Sequence, residues 1–238
     1  MRKVLVLARR ELAGYFFSPM AYVVAALFFA AGGLWFFYKV FIPGNEASLR
    51  PLFEAMAYVM VFAAPLLTMR LLSDEYRSGT IETLMTSPVS DAAVVLGKFL
   101  AVMVFYLILL AGSGAYLALV AIYGQPDLGV ATMGYLGMVL LGAAFLSVGL
   151  FASSLTSHQL VAAIVGTAIL AVLAILMQLL VAHGAEPWNY LAARLNAMTY
   201  FSDFSRGVLD TRGVVFFLSV AALFLFFSVK AVESRRWR

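Results

Sequence analysis

Six long apolar stretches, at 20–41, 53–72, 93–123, 131–155, 160–181 and 213–232, constrain this chain more than any other feature. Each has the roughly 20 mostly apolar residues needed to cross about 30 Å of hydrocarbon. With 64% apolar and 12% charged residues, the chain lies far from soluble-domain composition, where about a quarter of residues are charged. The sequence therefore predicts an all-α integral membrane protein with six transmembrane helices. No linker, low-complexity run or repeat divides it, so 1–238 reads as one membrane domain. Cysteine is absent, which excludes a disulfide framework, a zinc–thiolate site and thiol chemistry.

The first segment, 1–17, opens with Met1-Arg-Lys-Val-Leu-Val-Leu-Ala-Arg9-Arg10-Glu11. Its apolar run is short and no small-residue cleavage site follows, so it reads as a retained helix rather than a signal peptide. Val4, Leu5, Leu7, Ala8 and Leu12 can face lipid while Arg2, Lys3, Arg9, Arg10 and Glu11 stay wet, the pattern of a helix lying in the membrane plane.

The net charge of +4 would suit a nucleic-acid binder, but the basic residues flank apolar spans rather than forming one patch, and topology explains them better. An even number of spans puts both termini on one side. That side carries Arg2, Lys3, Arg9, Arg10, Arg70, Arg77, Lys98, Lys230, Arg235, Arg236 and Arg238, against Lys39, Arg50, Arg194, Arg206 and Arg212 on the other. The bias of Lys and Arg toward the cytoplasm makes both termini cytoplasmic, with the loop 73–92 beside them.

In that loop Gly79 or Thr80 can cap a short helix, Glu82 near its N-terminus suits the helix dipole, and Pro88 stops it. Ile81, Leu84 and Met85 form an apolar stripe at i, i+3, i+4 spacing. Such a helix can insert into a groove on a soluble partner, with Asp74, Glu75, Arg77 and Glu82 setting register. It can equally rest its stripe on the lipid headgroups.

The segment from Pro65 through Arg70-Leu-Leu-Ser-Asp-Glu75-Tyr-Arg77-Ser-Gly79-Thr80-Ile-Glu82 to Pro88, continued by Gly97-Lys98-Phe-Leu, resembles the second-span-to-loop signature of ABC-2 type transporter permeases. Phe151-Ala-Ser-Ser-Leu-Thr-Ser-His158-Gln and Ser205-Arg-Gly-Val-Leu-Asp-Thr-Arg212 are similar to segments of the gliding-motility-type branch of that family. The resemblance implies a permease protomer that dimerises, with itself or a related chain, and offers a cytoplasmic coupling helix to a separate ABC ATPase subunit in a bacterial cytoplasmic membrane. It implies ATPase contacts at Glu75, Arg77, Gly79, Thr80, Glu82 and Pro88, with Arg9, Arg10 and Glu11 alongside; His158, in the tight cytoplasmic turn between spans 4 and 5, reads as a further ATPase-facing polar residue rather than a catalyst. It also implies short external helices before the last span, and a membrane-anchored extracytoplasmic auxiliary protein as a further partner. ATP and Mg²⁺ would sit on the ATPase, because no Gly-x-x-x-x-Gly-Lys-[Ser/Thr] loop occurs here. No cofactor is expected on this chain, and no nucleic acid among its partners.

On the outer side, after Glu186-Pro187, Trp188, Leu191, Leu195 and Met198 recur at three- and four-residue spacing, with Arg194 and Asn196 on other faces. This predicts a helix half-buried among headgroups and anchored by Trp188, Tyr190 and Tyr200. It serves either as a passive lid or as a substrate gate or partner platform. Gln178 is the costliest polar residue deep in a span, either an interhelical hydrogen bond or a substrate ligand. Ala162 with Gly166, and Gly149 with Ser153, permit close helix approach, while Pro65 should kink span 2. Lys39, Arg70, Lys98 and Lys230 lie near span ends and should snorkel.

Three other classes fit less well. An intramembrane serine protease would pair Ser113, in Ala111-Gly-Ser-Gly114, with His183, but Ser113 should lie deep and His183 at the outer edge. A secondary transporter would place ionisable groups at mid-membrane, and none is there. A metal transporter would need a ligand cluster, whereas the two histidines fall on opposite faces.

Overall fold

The computed structural model describes residues 2–40, 48–79, 90–124, 126–184, 186 and 188–235. Six of its helical segments are long and apolar enough to cross a membrane: Pro19–Lys39, Arg50–Ser78, Asp91–Tyr123, Leu128–Leu155, Gln159–His183 and Thr211–Arg235, hereafter spans 1 to 6. No strand occurs among the described residues. The protein is an all-α membrane protein, as its apolar pattern requires.

Helix α1 (Arg2–Phe16) precedes α2 (Pro19–Val40), which contains span 1. Span 2 is α3 (Arg50–Thr68) followed by α4 (Arg70–Ser78), and span 3 is α5 (Asp91–Gly112) followed by α6 (Gly114–Tyr123). Span 4 is the unbroken α7 (Leu128–Leu155). Span 5 is α8 (Gln159–Ala171), a π-helical turn at Val172–Leu176, and α9 (Met177–His183). Then come α10 (Trp188–Leu195), α11 (Ala197–Ser205) and α12 (Thr211–Arg235), the last being span 6.

Helix starts follow their capping residues. Ser90 accepts from the Ala93 N–H at the start of α5, and Asp127 accepts from the Gly129 and Val130 N–H groups at the start of α7. Helix α7 is the central post, packed against α3, α4, α5, α8, α11 and α12. Spans 1, 5 and 6 turn large apolar side chains outward, among them Leu34, Ile164 and Val215, each more than half exposed. In a bilayer such surfaces meet lipid or another chain.

Deep hydroxyls are satisfied inside the bundle, as hydrocarbon demands. Tyr106 donates to the Met138 carbonyl at 2.9 Å, Tyr116 to Phe29 at 2.8 Å, and Ser147 to Ala144 at 2.6 Å. Ser113 donates to Leu110 at 2.6 Å and lies 3.3 Å from the Tyr135 hydroxyl, while His183 is exposed at the far end of span 5. No nucleophile–base pair joins them.

Helix α3 runs through Pro65, and span 2 is interrupted at Met69, whose N–H donates to the Pro65 carbonyl at 2.8 Å. Three expectations are corrected here. The predicted stripe of α1 does not simply face lipid. Leu7 settles on Gly97 of α5, where a side chain would come within 2.9 Å of its Cδ2, and Leu12 packs on the core. Glu11 and Lys98 are neither wet nor snorkelling, as described below. The outer segment is two short helices, in line with the external helices the resemblance implies, but the stripe from Trp188 to Met198 is not one continuous helix: Asn196 is buried and caps α11 through the Met198 N–H at 2.9 Å.

Candidate functional site

Helix α4 has nine residues, and its side chains reach most of the elements at the end of the bundle that holds α1. Glu75 turns inward to Lys98 of α5, 2.7 Å from Nζ, and Glu11 of α1 approaches the same nitrogen at 3.1 Å. The lysine side chain is 1% exposed and the two glutamates 13% and 21%. One ammonium thus pins two carboxylates, and so three helices, at the wall of a partly buried cleft where their attraction is stronger than in open solvent.

Asp74 accepts from Arg70 Nε at 3.2 Å and from the Gln159 amide, which ties α4 to the turn between spans 4 and 5. Arg70 also donates to Ser18 Oγ at 2.7 Å, reaching the link between α1 and α2. The Tyr76 ring lies under the Arg235 guanidinium, 4.2 Å from centroid to Cζ, and Arg235 donates to the Leu155 carbonyl at 2.7 Å. The last turn of span 6 therefore clamps α4 to the end of span 4.

The root of α4 is held by span 4. Ser153 Oγ donates to the Met69 carbonyl at 2.9 Å and accepts from the Leu72 and Ser73 N–H groups at 3.1 Å each. A serine hydroxyl has one proton and two lone pairs, so all its capacity goes to this break. Two residues before Met69, the Leu67 carbonyl accepts from the Tyr15 hydroxyl at 2.7 Å. Burial, with the Glu11 charge adding to it, pushes the Tyr15 phenol far above its usual range and keeps it a donor.

Between α1, the start of α2 and α4 lies a cleft of about 290 Å³, with Arg10 and Arg70 among its polar lining residues and Leu66, Leu67 and Met20 among its apolar ones. Among the described residues, two buried polar atoms of α4, Glu75 Oε2 and the Tyr76 hydroxyl, have no hydrogen-bond partner.

Residues 13–232 match a family model described as an ABC-2 family transporter protein. The chain belongs to the ABC-2 transporter family. Comparison with curated proteins gives no significant match. As an ABC-2 membrane component the chain is a multi-pass membrane protein, and membership implies partnership with an ABC ATPase subunit. Components of this kind are generally not themselves catalytic.

Within the ABC-2 chain the expected coupling residues separate into groups. Arg77 is exposed on the last turn of α4, and Gly79 ends that helix with a left-handed φ of 70°, a conformation other residues resist. Thr80, Glu82 and Pro88, with the stripe of Ile81, Leu84 and Met85, lie outside the described residues. Arg9, Arg10 and His158 are exposed at the same end of the bundle as Arg77. Glu75 and Glu11 both bind Lys98 and are largely buried, unlike the exposed residues of the set.

Away from that end, Gln178 accepts a hydrogen bond from the Asn196 amide, joining α9 to α11. Trp188 is exposed on α10, and Tyr200 is half-buried and stacked on Phe216, ring centroids 4.7 Å apart. Sequence reasoning missed Lys98, Ser153, Gln159, Asn196 and Arg235 as members of polar junctions. One signal was present: a single lysine early in an apolar span, with an unmatched glutamate in each of two neighbouring segments.

Proposed function

We propose that this chain is the permease subunit of an ATP-driven ABC transporter, with α4 as the element that carries motion from the ATPase into the bundle. The observation supporting this most directly is that α4 bonds by side chain to α5, the link between α1 and α2, Gln159 at the start of span 5, and α12, while its backbone root is held by span 4. A push on the segment after Gly79 would reach α4 first. Pivoting at Met69 would pull on all of those elements together.

In this reading both termini and the 73–92 loop are cytoplasmic, the membrane is a bacterial cytoplasmic membrane, and ATP with Mg²⁺ binds the partner ATPase. Two protomers, identical or related, form the path for a substrate between them or for its extraction from the membrane. Exposed Arg9, Arg10, Arg77 and His158, with Thr80, Glu82 and Pro88, make up the ATPase-facing surface.

A second reading is force transmission to a membrane-anchored extracytoplasmic partner, the arrangement associated with the gliding-motility-type branch. The internal pairing of Tyr106, Tyr116, Ser113 and Ser147 favours it, because these hydroxyls are spent on the bundle and leave no polar conduit along them within a protomer.

The test is to purify the full chain from its native membrane in mild detergent and identify copurifying proteins by mass spectrometry. A near-stoichiometric protein with a Walker-A loop is the expected result. Its absence, under conditions that keep other ABC complexes whole, would overturn the assignment. A large extracytoplasmic companion would select force transmission.

A further inference from the structure

At the end of the bundle remote from α1, span 2, span 5 and α11 enclose a second cleft of about 290 Å³. Its hydrogen-bonding groups are unbalanced. Glu54 is the one carboxylate among the lining residues, and Arg50 Nε occupies it at 2.9 Å. Asn196 Oδ1 accepts from the Met198 N–H, so its amide nitrogen must donate. It does so to Thr199 Oγ1 at 2.8 Å and to Gln178 Oε1. With those oxygens taken, Thr199 has its O–H and Gln178 its NH₂ left to give. Tyr58 and Arg206 line the same cleft and make no side-chain hydrogen bond or ion pair among the described residues, Tyr58 lying within the field of Glu54.

The cleft therefore presents a phenol, an alcohol, an amide and a free guanidinium, with a second guanidinium already neutralised. An oxyanion with several acceptor oxygens completes such a set, and its hydrogen bonds to Arg206 would be charge-assisted. The surroundings also favour an apolar tail. Arg50, Glu54, Tyr58 and Phe62 recur at four-residue spacing and so stack along one face of span 2. Phe62, one turn deeper than Tyr58, is 55% exposed. A charged head in the cleft would leave its chain lying against Phe62, in the hydrocarbon.

We propose that this cleft binds the phosphate headgroup of an anionic amphiphile, with Arg206 as the principal ligand and Tyr58, Thr199 and Gln178 as neutral donors. Binding at this cleft does not depend on an ATPase partner, so it stands or falls separately from the coupling role of α4.

The test is native mass spectrometry of the full chain in detergent, with phosphatidic acid, phosphatidylcholine or inorganic phosphate as probe. Phosphatidic acid should be retained in preference to phosphatidylcholine. Arg206→Gln should cut that retention about tenfold or more, and Tyr58→Phe by a smaller factor. Arg212→Gln, on an exposed arginine that does not line the cleft, should leave it unchanged. Arg206 is exposed, so its replacement spares the core, and Tyr58→Phe removes one oxygen only. Equal retention by wild type and Arg206→Gln, or no preference over phosphatidylcholine, would overturn the proposal. Inorganic phosphate competing as well as the lipid would keep the phosphate site and overturn the amphiphile.

Discussion

Ser153 Oγ lies inside the interruption of span 2, donating to the Met69 carbonyl at 2.9 Å while the Leu72 and Ser73 N–H groups donate to it at 3.1 Å each. A broken helix inside a membrane protein needs a neighbour to satisfy the backbone groups it frees, and span 4 supplies that with one hydroxyl. The same contact makes Met69 a defined pivot rather than a loose joint. Replacing Ser153 by Ala should destabilise the protein by about 1–3 kcal/mol through buried N–H groups that lose their acceptor. Thermal unfolding in detergent reads this as a lowered midpoint with membrane insertion unchanged, and an unshifted midpoint would contradict it.

Lys98 is the next point of leverage. Lys98→Met would leave Glu11 and Glu75 facing each other with only the more distant Arg10 as counter-charge, and breaking a buried pair costs roughly 3–5 kcal/mol. The triple variant Glu11→Gln, Lys98→Met, Glu75→Gln should be closer to wild type than Lys98→Met alone, because it removes the charges together. Comparing the three proteins by unfolding in detergent checks the order. A triple variant worse than the single one would mean the pin is not the main interaction there.

Gly149 of span 4 packs closely against span 2. A Cβ there would lie 2.1 Å from Thr68 Oγ1 and 3.2 Å from the Ala64 carbonyl oxygen. Gly149→Ala should therefore cost about 1–3 kcal/mol of overpacking. Adding Thr68→Ala should restore part of it, since the nearest clash goes while the Ala64 carbonyl stays. Strictly additive losses in the double variant would show that the two residues do not meet.

Asn196 holds the junction between span 5 and α11. Asn196→Ala removes both the α11 cap and the bond to Gln178, and should cost more than Gln178→Ala, which removes only the second. Losing the cap alone is worth about 0.5–2 kcal/mol. Hydrogen exchange at Met198 and the first turn of α11 should quicken in Asn196→Ala and stay slow in Gln178→Ala.

The spans were legible in the sequence because hydrocarbon leaves only one solution for a long apolar run. The small residues were legible too: Gly166 packs on Pro65 and Ala152, as its spacing with Ala162 suggests. What stayed hidden depends on which side of a helix meets which neighbour. Lys98 reads as a snorkelling end residue until α1 is laid across Gly97 with Glu11 facing it. Asn196 reads as a surface residue in a continuous helix until its amide is seen to end one helix and start the next. Pro65 hints that span 2 departs from a regular helix, but the interruption at Met69 and the Ser153 hydroxyl bonded into it show only in the structure.

The lever role of α4 is most directly tested by tethering it. The chain has no native cysteine, so Asp74→Cys with Gln159→Cys introduces two thiols on a pair of side chains in contact. A short, reducible bifunctional thiol crosslinker would fix α4 to the turn between spans 4 and 5 in the complex with its ATPase. ATP hydrolysis by that complex should fall several-fold on tethering and recover when the linker is cleaved by reductant. Hydrolysis that is unchanged with α4 fully crosslinked would contradict a moving α4.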